Sequence, residues 1–199
     1  MKLDRFREFL RLREFDRIKP RYAMAFLYDA NELYRFRGAE ALGYLCRGRK
    51  AREFMLRLFW HLSDESGAYC IGAPLGIAEI GRNDPKEFET FKNKFVSLLD
   101  NWEIKRKYVA YGIGRLAGIL DDAYPNPVKK LLEVMEELKD NPNFIVYAIW
   151  ALGMLEASEA LEIVERFVED RTVVSFYNGN DIVKVEVGKI ARATLERLG

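Results

Sequence analysis

The sequence predicts an all-α fold of stacked helix pairs, about five in number, with one β-hairpin near the C-terminus. Two observations predict it. A helical motif recurs at residues 34–45, 69–80, 105–116, 144–155 and, more loosely, 187–198. In the first four copies an apolar residue (Leu42, Ile77, Ile113, Leu152) is followed directly by a small one (Gly43, Ala78, Gly114, Gly153), and three places on by a second apolar residue (Leu45, Ile80, Leu116, Leu155). Successive copies lie 35, 36 and 39 residues apart, the period of an α-solenoid in which each repeat is one helix pair. The second observation is a change of period. Residues 172–177 are β-branched and aromatic, Asn178-Gly179-Asn180 is turn chemistry, and residues 182–187 alternate apolar and charged, which reads as a hairpin over about 172–187.

The remaining elements follow in order. Leu3, Phe6, Phe9, Leu10, Leu12, Phe15 and Ile18 have near-helical spacing with Arg in the gaps, so residues 3–18 are expected to cover the first repeat. Pro20 opens an outer helix ending near Tyr28, and Asn31 caps the first inner helix. Residues 49–62 form the second outer helix. Asp84-Pro85-Lys86-Glu87 starts a third that runs to about Leu99, with Asp84 as cap and Glu87 reaching back. Asn126 caps a fourth over 128–139, Asn141-Pro142 precedes its inner partner, and 157–168 is the last outer helix. No linker or low-complexity segment interrupts residues 1–199, which read as one repeat domain.

With 199 residues, 49% hydrophobic and 32% charged, the chain has the composition of a soluble globular protein. Apolar runs fall short of the roughly 20 residues that span a bilayer, and no signal-peptide core opens the chain. Cytoplasm is the expectation, with no membrane partner. Cys46 and Cys70 form no CxxC and no disulfide framework, and are expected to be buried, inert thiols. The net charge of +1 is unevenly spread: residues 1–57 hold 15 Lys/Arg against 8 Asp/Glu. Such an end invites an anionic partner or head-to-tail contacts, although nucleic-acid binders are normally more basic than this chain.

The inner helices follow the rhythm of HEAT repeats, most clearly at Ala39-Glu-Ala-Leu-Gly43 and Trp150-Ala-Leu-Gly153. They resemble the short HEAT-like kind named after phycobilisome lyases. The chain is also similar, over nearly its whole length, to a prokaryotic HEAT-repeat family. That resemblance rests on Arg35-x-Arg37-x-Ala39, on Trp60-x-Leu62-x-Asp64-Glu65-Ser66-Gly67, and on Gly72-x-Pro74 with Glu79-Ile80. It continues through Gly112-Ile-Gly-Arg-Leu-Ala117, Tyr177-x-Gly179 and Val187-Gly188. The chain departs from that pattern at Leu75, where the family has an acidic residue, and at Ala78, where it has glycine. The resemblance implies a right-handed α-α superhelix and supplies no catalytic residues.

Several groups are candidates for function. Asp64, Glu65 and Ser66 before the second inner helix, with Glu79 near its end, would hold a cation or a basic segment through carboxylate oxygens, or else cap helices. EF-hand spacing is absent. The glycines of 112–118 miss GxGxxG spacing and lie in a helical repeat, so they are read as helix contacts. His61 is the only histidine, which excludes His-rich metal sites, and is expected as a partly buried ring beside Trp60.

Tyr111 and Trp150 occupy equivalent positions in consecutive inner helices, as do Tyr108 and Tyr147. These rows line a concave aromatic groove or form inter-repeat core; spacing allows both. In the groove reading the protein is a non-catalytic scaffold that binds a protein or peptide. Tyr108, Tyr111, Tyr147 and Trp150 anchor the partner; Arg37, Glu40 and Arg115 set polarity; Asp64, Glu65 and Glu79 form the rim. No cofactor or metal is expected. Two alternatives rest on fold analogy: a HEAT-fold enzyme on nucleic acid, similar to alkylpurine glycosylases and using Asp64 or Glu79, and a tetrapyrrole lyase or chaperone.

Overall fold

A computed structural model describes residues 2–63 and 69–199. The chain is mostly helical, with a two-stranded antiparallel hairpin near its C-terminus. Its internal contacts group into two compact units, Met1–Phe91 and Lys92–Gly199, where the sequence reads as one run of repeats.

The first unit holds α1 (Lys2–Leu12), α2 (Pro20–Ala25), α3 (Glu32–Leu45), α4 (Arg49–Leu62), α5 (Ala73–Asn83) and α6 (Pro85–Phe88). The expected N-terminal helix stops early. Arg13 adopts φ 58°, and the Glu14 N–H bonds back to the Phe9 carbonyl (2.9 Å), so the chain closes as a Schellman turn before a short 3₁₀ turn at Phe15–Arg17. Sequence pointed elsewhere because such a left-handed position usually carries glycine. The expected caps form: Asn31 Oδ1 accepts from the Leu33 N–H (3.0 Å) and Asp84 Oδ1 from the Glu87 N–H (3.4 Å). The other Asp84 oxygen accepts from the Gly48 N–H at the start of α4 (2.6 Å). The core is built by α3 packed on α5, with α4 against α5. The third outer helix is shorter than expected and ends at Phe88, which sits against Gly81, while Phe91 stacks on Phe59 (5.6 Å).

The second unit holds α7 (Lys92–Ser97), α8 (Arg106–Arg115), α9 (Pro127–Glu137), α10 (Pro142–Met154), α11 (Leu161–Glu165), β1 (Val173–Tyr177), β2 (Ile182–Glu186) and α12 (Val187–Leu198). Here α8 packs on α10 and α10 on α12, so the helices that carry the repeated motif lie side by side. Asn126 caps α9 as expected, and Asn141 caps α10. β1 and β2 pair with Phe176 opposite Val183, and β1 lies on α10. Among the described residues no helix is long and apolar enough to cross a membrane.

The recurring small residue of the motif is where neighbouring helices meet. A Cβ on Gly43 would stand 2.5 Å from the Glu79 carbonyl oxygen and 2.8 Å from the Asn83 side chain, and one on Gly114 would overlap the Trp150 ring. Gly118, in a 3₁₀ turn, faces open space. Alanine in a helix interior normally gains about 1 kcal/mol over glycine. Gly43→Ala is expected to reverse that sign and destabilise by roughly 1–3 kcal/mol, because the obstacle is backbone that cannot step aside. Gly118→Ala is expected to be neutral or slightly stabilising. Urea midpoints of the two variants check this, and equal midpoints would contradict it.

Candidate functional site

The aromatic rows converge in the second unit, but under cover. Tyr111 stacks on Trp150 (5.3 Å, 13° between planes) and meets Tyr147 edge-on (5.9 Å). β1 closes over them. The Phe176 ring lies 4.9 Å from Tyr147 and 6.3 Å from Trp150, and Tyr177 lies 6.0 Å from Tyr111. Inter-strand bonds join Asn178 to Asp181 and Val187 to Thr172, so by antiparallel alternation the Tyr177 N–H points away from β2. It donates instead to the buried Tyr147 hydroxyl (2.8 Å). The anchors expected of Tyr108, Tyr111 and Tyr147 are therefore corrected: all three are buried, and the chain's own hairpin fills the place of a partner. Trp150 is half-buried and borders a cleft of 210 Å³ with Met154, Ile190 and Arg197. Arg115 is half-buried beside Tyr111, and Lys107 lies over Tyr108 and Tyr147.

The charged candidates of the first unit are also internal. Arg37 is buried and its Nη1 pairs with Glu40 (2.9 Å), which Arg13 approaches from the end of α1 (3.6 Å). Glu79 is 1% exposed and pairs with Arg82 (3.2 Å). A carboxylate enclosed in this way is held by its ion pair and offers no rim to a partner, which corrects its expected role there. Asp64 and Glu65 lie outside the described residues. His61 is half-buried as expected, edge-on to Tyr28 (6.1 Å) and beside Trp60 (5.0 Å). Cys46 and Cys70 are buried, and desolvation pushes both thiols up to about 11, which keeps them protonated and inert at neutral pH. Among the described residues no group of His, Cys, Asp and Glu is placed to hold a metal.

What the first unit does expose is the outer face of α4. Ala51, Met55, Leu58, Phe59 and Leu62 point into the core. The opposite face carries Leu56 (51% exposed) and Trp60 (61% exposed) one turn apart, flanked by Arg49, Arg52 and Arg57. Arg49 is engaged by Glu53 (2.8 Å), and Arg52 lies over Phe91. Arg57 and Lys50 have no carboxylate within ion-pair distance among the described residues. Sequence reasoning passed over this pair, although its signal was present. Leu56 and Trp60 fall outside the apolar arc set by Met55, Leu58, Phe59 and Leu62, and a large apolar residue off the core arc is a contact candidate.

An uncharacterized protein of Archaeoglobus fulgidus is 57% identical to the chain over 175 residues, which cover 88% of this chain and 94% of that protein. The chain belongs to the same family. No family model and no solved structure matches it.

The bond between Tyr147 and Tyr177 can be tested alone. Tyr147→Phe keeps the ring and removes the hydroxyl that accepts from the buried Tyr177 N–H. The expected cost is about 1–3 kcal/mol in the urea midpoint, together with faster hydrogen exchange at the Tyr177 amide. An unchanged midpoint and unchanged exchange would show that the hairpin is held by ring packing alone.

Proposed function

We propose that the protein is a cytoplasmic, non-catalytic binding module built as a right-handed HEAT-like solenoid. In this reading it docks an acidic segment of a partner protein on the outer face of α4. The solenoid is supported by the stacking of motif-bearing helices within each unit, α3 on α5 and α8 on α10 on α12. The docking surface moves from the aromatic rows, which the hairpin covers, to an outer helix. The observation that carries it is the pair Leu56 and Trp60, exposed side by side between Arg52 and Arg57. Tryptophan and arginine are the residues that most often dominate protein interfaces. Arg57 and Lys50, which lack carboxylate partners among the described residues, set the charge of the segment they would meet.

Affinity purification from the source cells, followed by mapping of the bound partner's contact segment with cross-links, tests this. Trp60→Ala with Arg57→Glu is expected to weaken the complex by about 2 kcal/mol or more while leaving the helical signal and midpoint unchanged, since both side chains are solvent-facing. Retention of the partner by this variant, or a contact segment with no excess of Asp and Glu, would sink the reading.

A further inference from the structure

A second feature of the first unit lies apart from the face of α4. Between α1 and α2 is a cleft of 610 Å³ walled by Phe6, Phe9, Tyr22 and Phe26, with Arg5 and Arg17 among its lining. Its size is that of small-molecule sites, and its walls are apolar apart from the two guanidinium groups and the tyrosine hydroxyl. Phe6 stacks on Tyr22 (4.8 Å, 23°), which fixes one wall. Arg17 and Arg5 both lie against the ring of Phe9, with guanidinium carbons 4.3 and 5.5 Å from its centroid, and both line the cleft.

The charges at this cleft are unbalanced. Among the described residues Arg5 has no carboxylate within ion-pair distance and no acidic side chain lines the cleft. Arg17 pairs with Glu14 (2.6 Å), but that pair is solvent-exposed and held weakly. The acids of α1, Asp4 and Glu8, line a different cleft together with Arg7 and Asp29. Two cations that line one apolar cleft favour an anion there, which accepts charge-assisted hydrogen bonds from them. We infer that this cleft binds a small amphipathic carboxylate, its flat apolar body against the rings of Phe9 and Phe26 and its carboxylate on Arg5 and Arg17.

The probe is 2-naphthoate, with neutral 2-naphthamide as its control, followed by nitrogen-15 chemical-shift mapping on the full chain. Naphthoate is expected to give saturable shifts centred on α1 and α2. Arg5→Gln with Arg17→Gln is expected to raise its dissociation constant about tenfold or more, because two charge-assisted contacts are lost, and naphthamide should bind as weakly as that variant binds naphthoate. Both arginines are exposed, so the variant should keep its fold. Trp60→Ala should leave naphthoate binding unchanged, which separates this site from the face of α4. Absence of shifts in α1 and α2 at millimolar probe, or equal affinity for acid and amide, would overturn the inference.

Discussion

The architecture depends on how closely its motif-bearing helices approach one another. At Gly43 the backbone of α5 occupies the space a methyl group would need; at Gly114 the indole of Trp150 occupies it; at Gly153 the side chain of Thr194 stands 3.0 Å from where a Cβ would be. These three glycines are three of the four small residues of the sequence repeat, the fourth being Ala78. The repeat therefore records a distance: apolar residues on either side fill the interface, and the hydrogen side chain lets main chain and rings touch. A helix gains little from glycine by itself. Its recurrence at this position is explained by the packing density that close approach permits on both sides of it.

That close approach has a consequence for the aromatic rows. Helices set so near to one another bring Tyr111, Tyr147 and Trp150 into a single ring cluster, and a cluster of that size left open would be a large apolar surface. The hairpin resolves this within the chain. It adds Phe176 and Tyr177 to the cluster and supplies the one polar group, the Tyr177 N–H, that the Tyr147 hydroxyl needs as a donor. Each half satisfies the other: a buried hydroxyl gains a partner, and an outward-facing strand amide avoids being stranded in apolar surroundings. The hairpin is thus part of the core of its unit as well as its cover.

Much of the fold was legible in the sequence because the controlling interactions are local. The side chains of Asn31, Asp84 and Asn126 cap helices within three residues of themselves, and the fourth outer helix begins at Pro127, directly after its cap. Arg49–Leu62 and Val187–Leu198 run as their apolar periods demand. The early stop of α1 was not legible, because its left-handed residue is Arg13 and no glycine marks it; after α10 the left-handed Glu156 (φ 52°) falls where the repeat motif itself ends. The fate of the aromatic rows was illegible for a different reason. Spacing places Tyr108, Tyr111, Tyr147 and Trp150 on shared faces, but what covers a face depends on a contact between residues thirty positions apart, Tyr147 and Tyr177. Burial of Glu79 and Arg37 followed the same logic, since a helix face is buried or exposed according to its neighbours and not its own period.

Charge distribution separates the two units in what they offer to other molecules. In the second unit Lys92 meets Asp122, Arg106 meets Glu137, and Lys130 meets Asp100 and Glu133. These cations are spent on internal pairs, and hydrogen bonding with Lys92 holds the Asp122 carboxyl below the usual range. The first unit has such pairs too, Arg7 with Asp29, Arg37 with Glu40 and Arg49 with Glu53, but there Arg5 and Arg17 lie over Phe9, Arg21 over Tyr22 and Arg52 over Phe91. A ring orients a guanidinium without neutralising it, whereas a carboxylate does both. Arg5, Arg21 and Arg52 have no carboxylate within ion-pair distance among the described residues, so an anion arriving there would meet charge that is oriented and not neutralised. Both binding surfaces proposed for the first unit draw on that arrangement of its basic side chains.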